Sequence, residues 1–456
     1  MWFRRDLRLA DNPALLAAAG AGDGSVLPLF VVDPVLFGAA GAPRAAYLVR
    51  SLRALDSATG GALVVRQGRP AEVVTRIAAE AGATEVHIAA DYGPYGQRRD
   101  AAVEKALAGA GIALHRTGSP YAVAPGRIRK ADGTPYRVFT PFSKAWRAHG
   151  WRPPAGPPGE ITWTGATGRD EWPDEPDLGH TRIPEAGERA AAERWAQFEN
   201  ERLRGYGEDR DRMDQPGTSQ LSPSLKYGEL HPRTLLAALA THRGPGAETY
   251  RAELCWREFY ADVLNADPRT AWEPLDPATG RIRTDSGALA DERFAAWATG
   301  RTGFPIVDAG IRQLLAVGWM HNRVRMITAS FLVKDLHLPW QRGAAFFLDR
   351  LVDGDLASNN HGWQWVAGTG TDAAPYFRVF NPVTQGRTFD PDGAYVRRWI
   401  PELSTLDGRT THEPWNLPGG LPDGYPGRIV VHATERQEAL DRYAETRTRP
   451  QSRELR

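Results

Sequence analysis

The 456-residue sequence contains a single cysteine, Cys255. One thiol excludes an internal disulfide framework and a cysteine-rich zinc site, and it suits a reducing cytoplasm. No uncharged apolar run approaches the roughly 18 residues of a membrane span. The opening Met1-Trp2-Phe3-Arg4-Arg5-Asp6 has no apolar core of signal-peptide length. A cytoplasmic protein with no membrane partner is expected. Charge of either sign is barely in excess, with 56 Lys and Arg against 55 Asp and Glu, so any nucleic-acid binding must come from a local basic patch. No internal repeat or low-complexity tract occurs. What the chain does have is tryptophan, 15 in all and ten of them after residue 190. One reading is a Trp-rich helical core; the other is a stacking surface or a redox relay.

The length favours two folded units, and 42% hydrophobic residues suffice for their cores. Over residues 1–125 short β-branched runs alternate with amphipathic stretches. Val26–Asp33, Ala62–Arg66, Glu85–Ala90 and Ile112–Arg116 read as strands; Arg44–Asp56, a segment opening at Pro70 and ending near Gly82, and Asp100–Ala110 read as helices. This alternation predicts an α/β unit with a doubly wound parallel sheet, covered by helices on both faces. No G-x-G-x-x-G follows any of its strands and no G-x-x-x-x-G-K-[ST] is present, so a dinucleotide or P-loop phosphate site there is unsupported. Residues 126–190 are dense in Pro, Gly and charge and read as a connector on the surface. From 191 to 456 the pattern is helical.

Four segments stand out. On a helix over Arg251–Val263, Glu253, Trp256 and Arg257 share a face; they suit a flat polar ring, or form an ordinary Glu–Arg pair beside a core Trp. In Gly318–Met326, Asn322, Arg325 and Met326 share a face while Arg323 points aside. An amide beside a soft thioether makes a pocket wall, or surface and core filler. Asp353-Gly354-Asp355-Leu356-Ala357-Ser358-Asn359-Asn360 opens like a calcium loop but lacks the later ligands and closing Glu, so no metal is expected. Gly217-Thr218-Ser219-Gln220-Leu221-Ser222-Pro223 offers hydroxyls and N–H groups for a pyrophosphate, or a helix cap.

These segments, together with WFRRDLRLADNPAL, GWMHNRVRMITASFLVKDL, LVDGDLASNN and GTDAAPYFRVFNP, closely resemble the photolyase and cryptochrome family, and most of all its class I cyclobutane pyrimidine dimer photolyases. The resemblance covers nearly the whole chain. It implies an N-terminal antenna domain, an all-α FAD-binding domain, and light-driven electron transfer from reduced FAD to a pyrimidine dimer flipped out of ultraviolet-damaged DNA, by a chain that works as a monomer. It places Tyr206 and Thr218, Ser219, Gln220, Leu221 and Ser222 at the FAD phosphates and sugar. Arg257, Arg325, Asp353, Gly354, Asp355 and Asn359 fall around the rings, with Asn359 beside flavin N5. Glu253, Trp256, Asn322, Arg323, Met326, Trp365 and Gln385 fall on the lesion or DNA. Arg323, with Lys334, Arg378 and Arg397, is expected at a basic rim.

The chain departs from the family in three places. Its first strand starts almost at Trp2, so either the start codon lies upstream or the strand is short. Trp363 and Trp340 match the inner and middle members of the tryptophan relay that photoreduces oxidised flavin, but the outer position is Gly287, which puts that route in doubt. His361 stands where glycine is usual. A signalling cryptochrome is the main rival reading, although those usually add a long tail. A (6-4) photolyase would want histidine chemistry where Asn322 and Met326 stand, and a nucleotide-binding module of a ligase would want a phosphate loop. The stretch Asp91–Asp100 resembles relatives whose antenna is an 8-hydroxy-5-deazaflavin rather than a folate.

Overall fold

The computed structural model describes residues 1–21, 23–166, 171–371 and 377–448. Within these, seven short strands occur: β1 Trp2–Phe3, β2 Ser25–Val26, β3 Leu29–Val32, β4 Val64–Gln67, β5 Glu85–Ile88, β6 Ala113–Arg116 and β7 Thr162–Trp163. Every pairing is parallel. β1, β3 and β4 form one ladder, with Trp2 opposite Leu29 and Leu29 opposite Val64. β5 pairs with β6, β2 with β7, and β1 lies beside β5.

Because side chains alternate along a strand, β1, β3 and β4 each serve two cores. Phe3, Phe30 and Val65 pack with Leu15, Tyr47, Leu52 and Leu55 from the helices Pro13–Ala19 and Ala42–Ala58. Trp2, Leu29, Val31 and Val64 pack the other way, with Val74, Ile77, Val103 and Leu107 from Pro70–Glu80 and Pro94–Gly109. The sheet is doubly wound, as expected. The strand expected over Val26–Asp33 is broken in two at Pro28, which has no N–H to continue a ladder. The Pro28 carbonyl still accepts from Val64 N at 2.8 Å, while β2 turns to a different partner.

The Pro- and Gly-rich stretch after residue 125 does not lie wholly on the surface. It contains the helix Phe139–His149, on which Phe142 and Trp146 are buried one turn apart and which ends at Gly150 with φ +66°. Its anchor is Glu258, a buried carboxylate on the 22-residue helix Pro245–Ala266. Glu258 accepts from Trp146 Nε1 at 2.6 Å, from Val123 N at 3.0 Å and from Ala122 N. Glu258→Ala would strand the buried donors of Trp146 and Val123 and the half-buried N–H of Ala122, so a loss of about 3 kcal/mol or more is expected in urea unfolding; a loss below about 1 kcal/mol would mean that Glu258 is not the anchor of this segment.

The remaining described chain is helical and encloses a separate core around Trp297, Phe304, Phe331, Phe347 and Trp363. The helix expected over HNRVRMITASFLVKDL is the α-helix Asn322–Ser330 followed by a π-helical turn, Phe331–Asp335. Such turns re-aim the following side chains. No helix among the described residues is long and apolar enough to cross a membrane.

Candidate active site

A cavity of about 460 Å³ opens between the helices Pro245–Ala266, Asn322–Ser330 and Leu356–Ala367. The helical phase accounts for its walls. Glu253, Trp256 and Arg257 line it together, as do Asn322, Arg325 and Met326. Asp353, Gly354, Asp355, Asn359, Trp363 and Trp365 close the third side, and Tyr206, Ser219, Leu221 and Ser222 close the end. Sixteen of the residues singled out from sequence therefore meet at one place. Five do not line it. Thr218 and Gln220 flank the Ser219 loop, with Gln220 exposed and left-handed at φ +52°. Trp340 lies behind the wall, buried, on the helix Trp340–Arg350. Arg323 is held outside by Asp211 at 2.7 Å and lies over the Phe389 ring. Gln385 sits on the neighbouring helix Pro382–Phe389.

Fixed charges shape the pocket. Arg325 donates from Nη2 to Asp353 Oδ2 at 2.8 Å and from Nε to Met320 O, while Asp353 Oδ1 is buried with no protein partner among the described residues. Asp355 caps the Leu356–Ala367 helix by accepting from Ser358 N, and its other oxygen accepts from Arg5 at 2.9 Å. Burial opposes ionisation of Asp355, but Arg5, Lys226 and Arg257 outweigh it and hold the carboxyl well below the usual range. Arg257 donates to Pro120 O and Leu225 O, each at 3.0 Å, and stacks over Tyr121. Two of its five N–H donors are thereby committed to the wall. Glu253 is paired with Arg210, yet burial outweighs that pairing and pushes its pKa up. Asn359 donates from Nδ2 to Ala344 O at 3.1 Å and to Asn360 Oδ1 at 2.8 Å, which leaves Oδ1 as its remaining polar end.

Several wall residues carry no distinct signal in sequence. Arg210, Tyr260 and Lys226 line the cavity, and burial pushes the Lys226 ammonium down to about 7. Phe139 stacks flat on Trp256, with centroids 3.6 Å apart and planes 6° apart, so one indole face is covered and the other remains. Lys334 corrects an expectation. It is 4% exposed, directed at Arg378 O and the Phe377 ring, and is not a rim cation. His361 is also buried, against Tyr260. The Asp372–Tyr376 part of the GTDAAPYFRVFNP stretch lies outside the described residues.

Comparison with known proteins agrees with this geometry. Residues 1–158 match the family model described as DNA photolyase, and residues 250–445 match the FAD binding domain of DNA photolyase. A deoxyribodipyrimidine photo-lyase of Streptomyces griseus is 42% identical, over 95% of this chain and 96% of its own. One from Thermus thermophilus is 43% identical over 88% and 92%. A class III photolyase from Agrobacterium tumefaciens superposes with a TM-score of 0.90 at 38% identity, covering 98% and 97% of the two chains. A Synechocystis cryptochrome superposes at 0.88 with 26% identity, covering 96% and 97%. The chain belongs to the DNA photolyase and cryptochrome family.

Proposed function

We infer that the protein is a deoxyribodipyrimidine photo-lyase, which splits cyclobutane pyrimidine dimers in ultraviolet-damaged DNA by light-driven electron transfer from FAD. The observation that carries this reading is the meeting of Glu253, Trp256, Asn322, Met326 and Trp365 with Asn359 around one cavity, in a chain 42% identical to such an enzyme. In this reading residues 1–125 are the antenna domain, 126–190 the connector and 191–456 the FAD-binding catalytic domain.

The residues present fit FAD. The unpartnered Asp353 Oδ1, the buried indole N–H of Trp363 and the Asn359 Oδ1 are polar groups that need a partner. Tyr206, the Thr218–Ser222 loop, Arg325, Asp353 and Asp355 would hold the cofactor. The chemistry FAD supplies in its reduced form is one electron lent under blue light and recovered after both cyclobutane bonds break. Asn359 would favour that reduced form, because its Oδ1 is an acceptor and would suit an N–H that a reduced ring carries and an oxidised one lacks. A dimer stacks badly, so flipping it out of the duplex costs less than flipping a normal base. The free face of Trp256 and the ring of Trp365 then grip it, each contact worth about 1–3 kcal/mol. Glu253, while it carries its proton, hydrogen-bonds the pyrimidine edge and stabilises the charge that arrives there.

With net charge +1, lesion binding must rest on few phosphate contacts, from Arg323, Arg378 and Arg397. Affinity should fall with salt with a log–log slope of about −0.9 per phosphate engaged, and undamaged DNA of any sequence should bind poorly. A filter-binding or anisotropy series across salt tests this. A slope near zero would place these arginines off the DNA.

The second pigment is assigned to an 8-hydroxy-5-deazaflavin, on the resemblance of Asp91–Asp100. A Sulfolobus tokodaii photolyase, 28% identical with a TM-score of 0.82, is described with two FAD molecules, implying a novel light-harvesting cofactor, so a second flavin is the competing outcome. Extracting the pigment from protein made in hosts with and without deazaflavin synthesis separates the two.

A further inference from the structure

His361 has no part in the reading above, yet it occupies a specific place. It is fully buried on the Leu356–Ala367 helix, two residues after Asn359, and its ring stacks at 10° on Tyr260, a wall of the cavity. Its Nδ1 is 2.8 Å from Ala357 O, and its Nε2 is 3.0 Å from Thr270 Oγ1. Thr270 Oγ1 is in turn 2.7 Å from Asp267 O. Asn360 and Gln364 tie the same Pro268–Ala271 turn to this helix through Ala271 O and Thr270 O.

Counting hydrogens along this line decides what the site can hold. Both ends are carbonyl oxygens, which only accept. Nδ1 carries the proton that Ala357 O accepts. Asp267 O already accepts from Thr270 N at 3.1 Å, so the single Thr270 hydroxyl hydrogen is able to go to it or to Nε2. A neutral ring accepts that hydrogen at Nε2; an imidazolium donates there instead and the hydroxyl turns to Asp267 O, so the line accommodates both protonation states. The groups facing the ring set the balance. Burial lowers its proton affinity and outweighs the Ala357 carbonyl, Asp355 and Asp267, which raise it. Asp355 is already neutralised by Arg5, and Asp267 by Arg269 at 2.8 Å. Tyr260 brings no charge. Arrival of a negative charge in the cavity is what would tip the ring.

We propose that His361 is a proton-binding site linked to the charge of the bound flavin, neutral beside oxidised FAD and protonated beside the reduced anion. The inference rests on the FAD reading above. When an added reductant such as dithionite delivers two electrons, one proton completes the reduced anionic ring. A further proton from solvent binds Nε2, and the Thr270 hydroxyl turns from Nε2 to Asp267 O. The imidazolium, one ring behind the cavity wall at Tyr260, would then favour the state that donates to the dimer.

The test uses the FAD-loaded protein in weakly buffered solution, reduced anaerobically with a pH-indicating dye present. Between about pH 6 and 8, where histidine titrates, the natural protein should take up as much as about one proton more per flavin than His361→Asn. Equal uptake would overturn the proposal. Because His361→Asn changes a buried contact and its packing, the histidine-labelled natural protein provides a second readout by NMR. The His361 pKa should rise by about one unit or more on reduction, as for a new charge facing a buried site; an unchanged pKa would overturn the proposal without any variant. A preparation that retains no flavin contradicts the FAD reading itself and is recognised first, from its absorption spectrum.

Discussion

Trp272→Phe is expected to slow blue-light photoreduction of the oxidised, FAD-loaded protein by about tenfold or more, an added barrier of at least about 1.4 kcal/mol, while repair by chemically reduced enzyme stays unchanged. In the proposed relay Trp363 is the inner and Trp340 the middle member. Trp363 lines the cavity, and its ring lies against the Trp340–Arg350 helix, where Gly343 leaves room for it: a Cβ there would sit 2.1 Å from the indole. Trp340 is one turn earlier on that helix and 5% exposed. Gly287 is close by, since Asp285 N donates to His337 O, but it offers no ring. Sequence alone leaves Trp272, Trp319 and Tyr250 as substitutes. The structure separates them. Tyr250 is buried among Trp195, Phe198 and Tyr206, and Trp319 donates to Ser222 at 3.3 Å. Trp272 is 44% exposed, and its carbonyl accepts from Gln341, the residue after Trp340. The natural protein should photoreduce slowly with thiol present, with the remaining flux leaving through Trp272. Gly287→Trp should speed it, since a Cβ there meets nothing within 4 Å, although φ +88° costs such a residue about 1 kcal/mol or more. Fast photoreduction that survives Trp272→Phe would contradict this account.

Glu253→Ala should lower the repair yield per bound lesion by more than it lowers lesion affinity, with the lost contact worth at most a few kcal/mol. Burial raises the Glu253 pKa against the pull of Arg210, so this carboxyl keeps its proton to higher pH than a free one. A proton it holds can be donated to a pyrimidine carbonyl as that ring gains charge. The yield should therefore fall as pH rises and Glu253 ionises, while Glu253→Gln, which always carries donors, should show a flat profile. Flash-induced repair with saturating lesion, measured across pH, reads the yield apart from binding. If affinity collapses and yield per bound lesion holds, Glu253 serves only to seat the substrate.

Much of this site is legible without coordinates. Glu253, Trp256 and Arg257, and separately Asn322, Arg325 and Met326, fall on shared faces because helical spacing alone aligns them, and Arg323 falls aside for the same reason. What spacing cannot show is which distant segment supplies the partner. Arg5 and Asp355 are 350 positions apart, and nothing local in WFRRDLR marks its second arginine as the residue that steadies a cavity carboxylate. Phe139, which backs Trp256, escapes notice for another reason. Its helix has a usable signal, with Phe142 and Trp146 four apart and Gly150 as the stop, but neighbouring Pro and Gly dilute the periodicity. The split at Pro28 is visible in the sequence but outweighed by the apolar run around it. Lys334 is expected at a rim because lysine is usually exposed. Its stem follows a π-helical turn that sequence periodicity does not register, and so it points inward.

The central claim is that one cavity holds both the electron donor and the dimer. Its most direct test is a repair assay on a single defined thymine dimer in single-stranded and in double-stranded DNA, using FAD-loaded, chemically reduced protein with and without blue light. The account predicts intact thymines from both substrates under light and none in the dark. Lesion binding by reduced, FAD-loaded protein with no thymine recovered under light would contradict it, and would favour the photoreceptor reading of the cryptochrome-like fold.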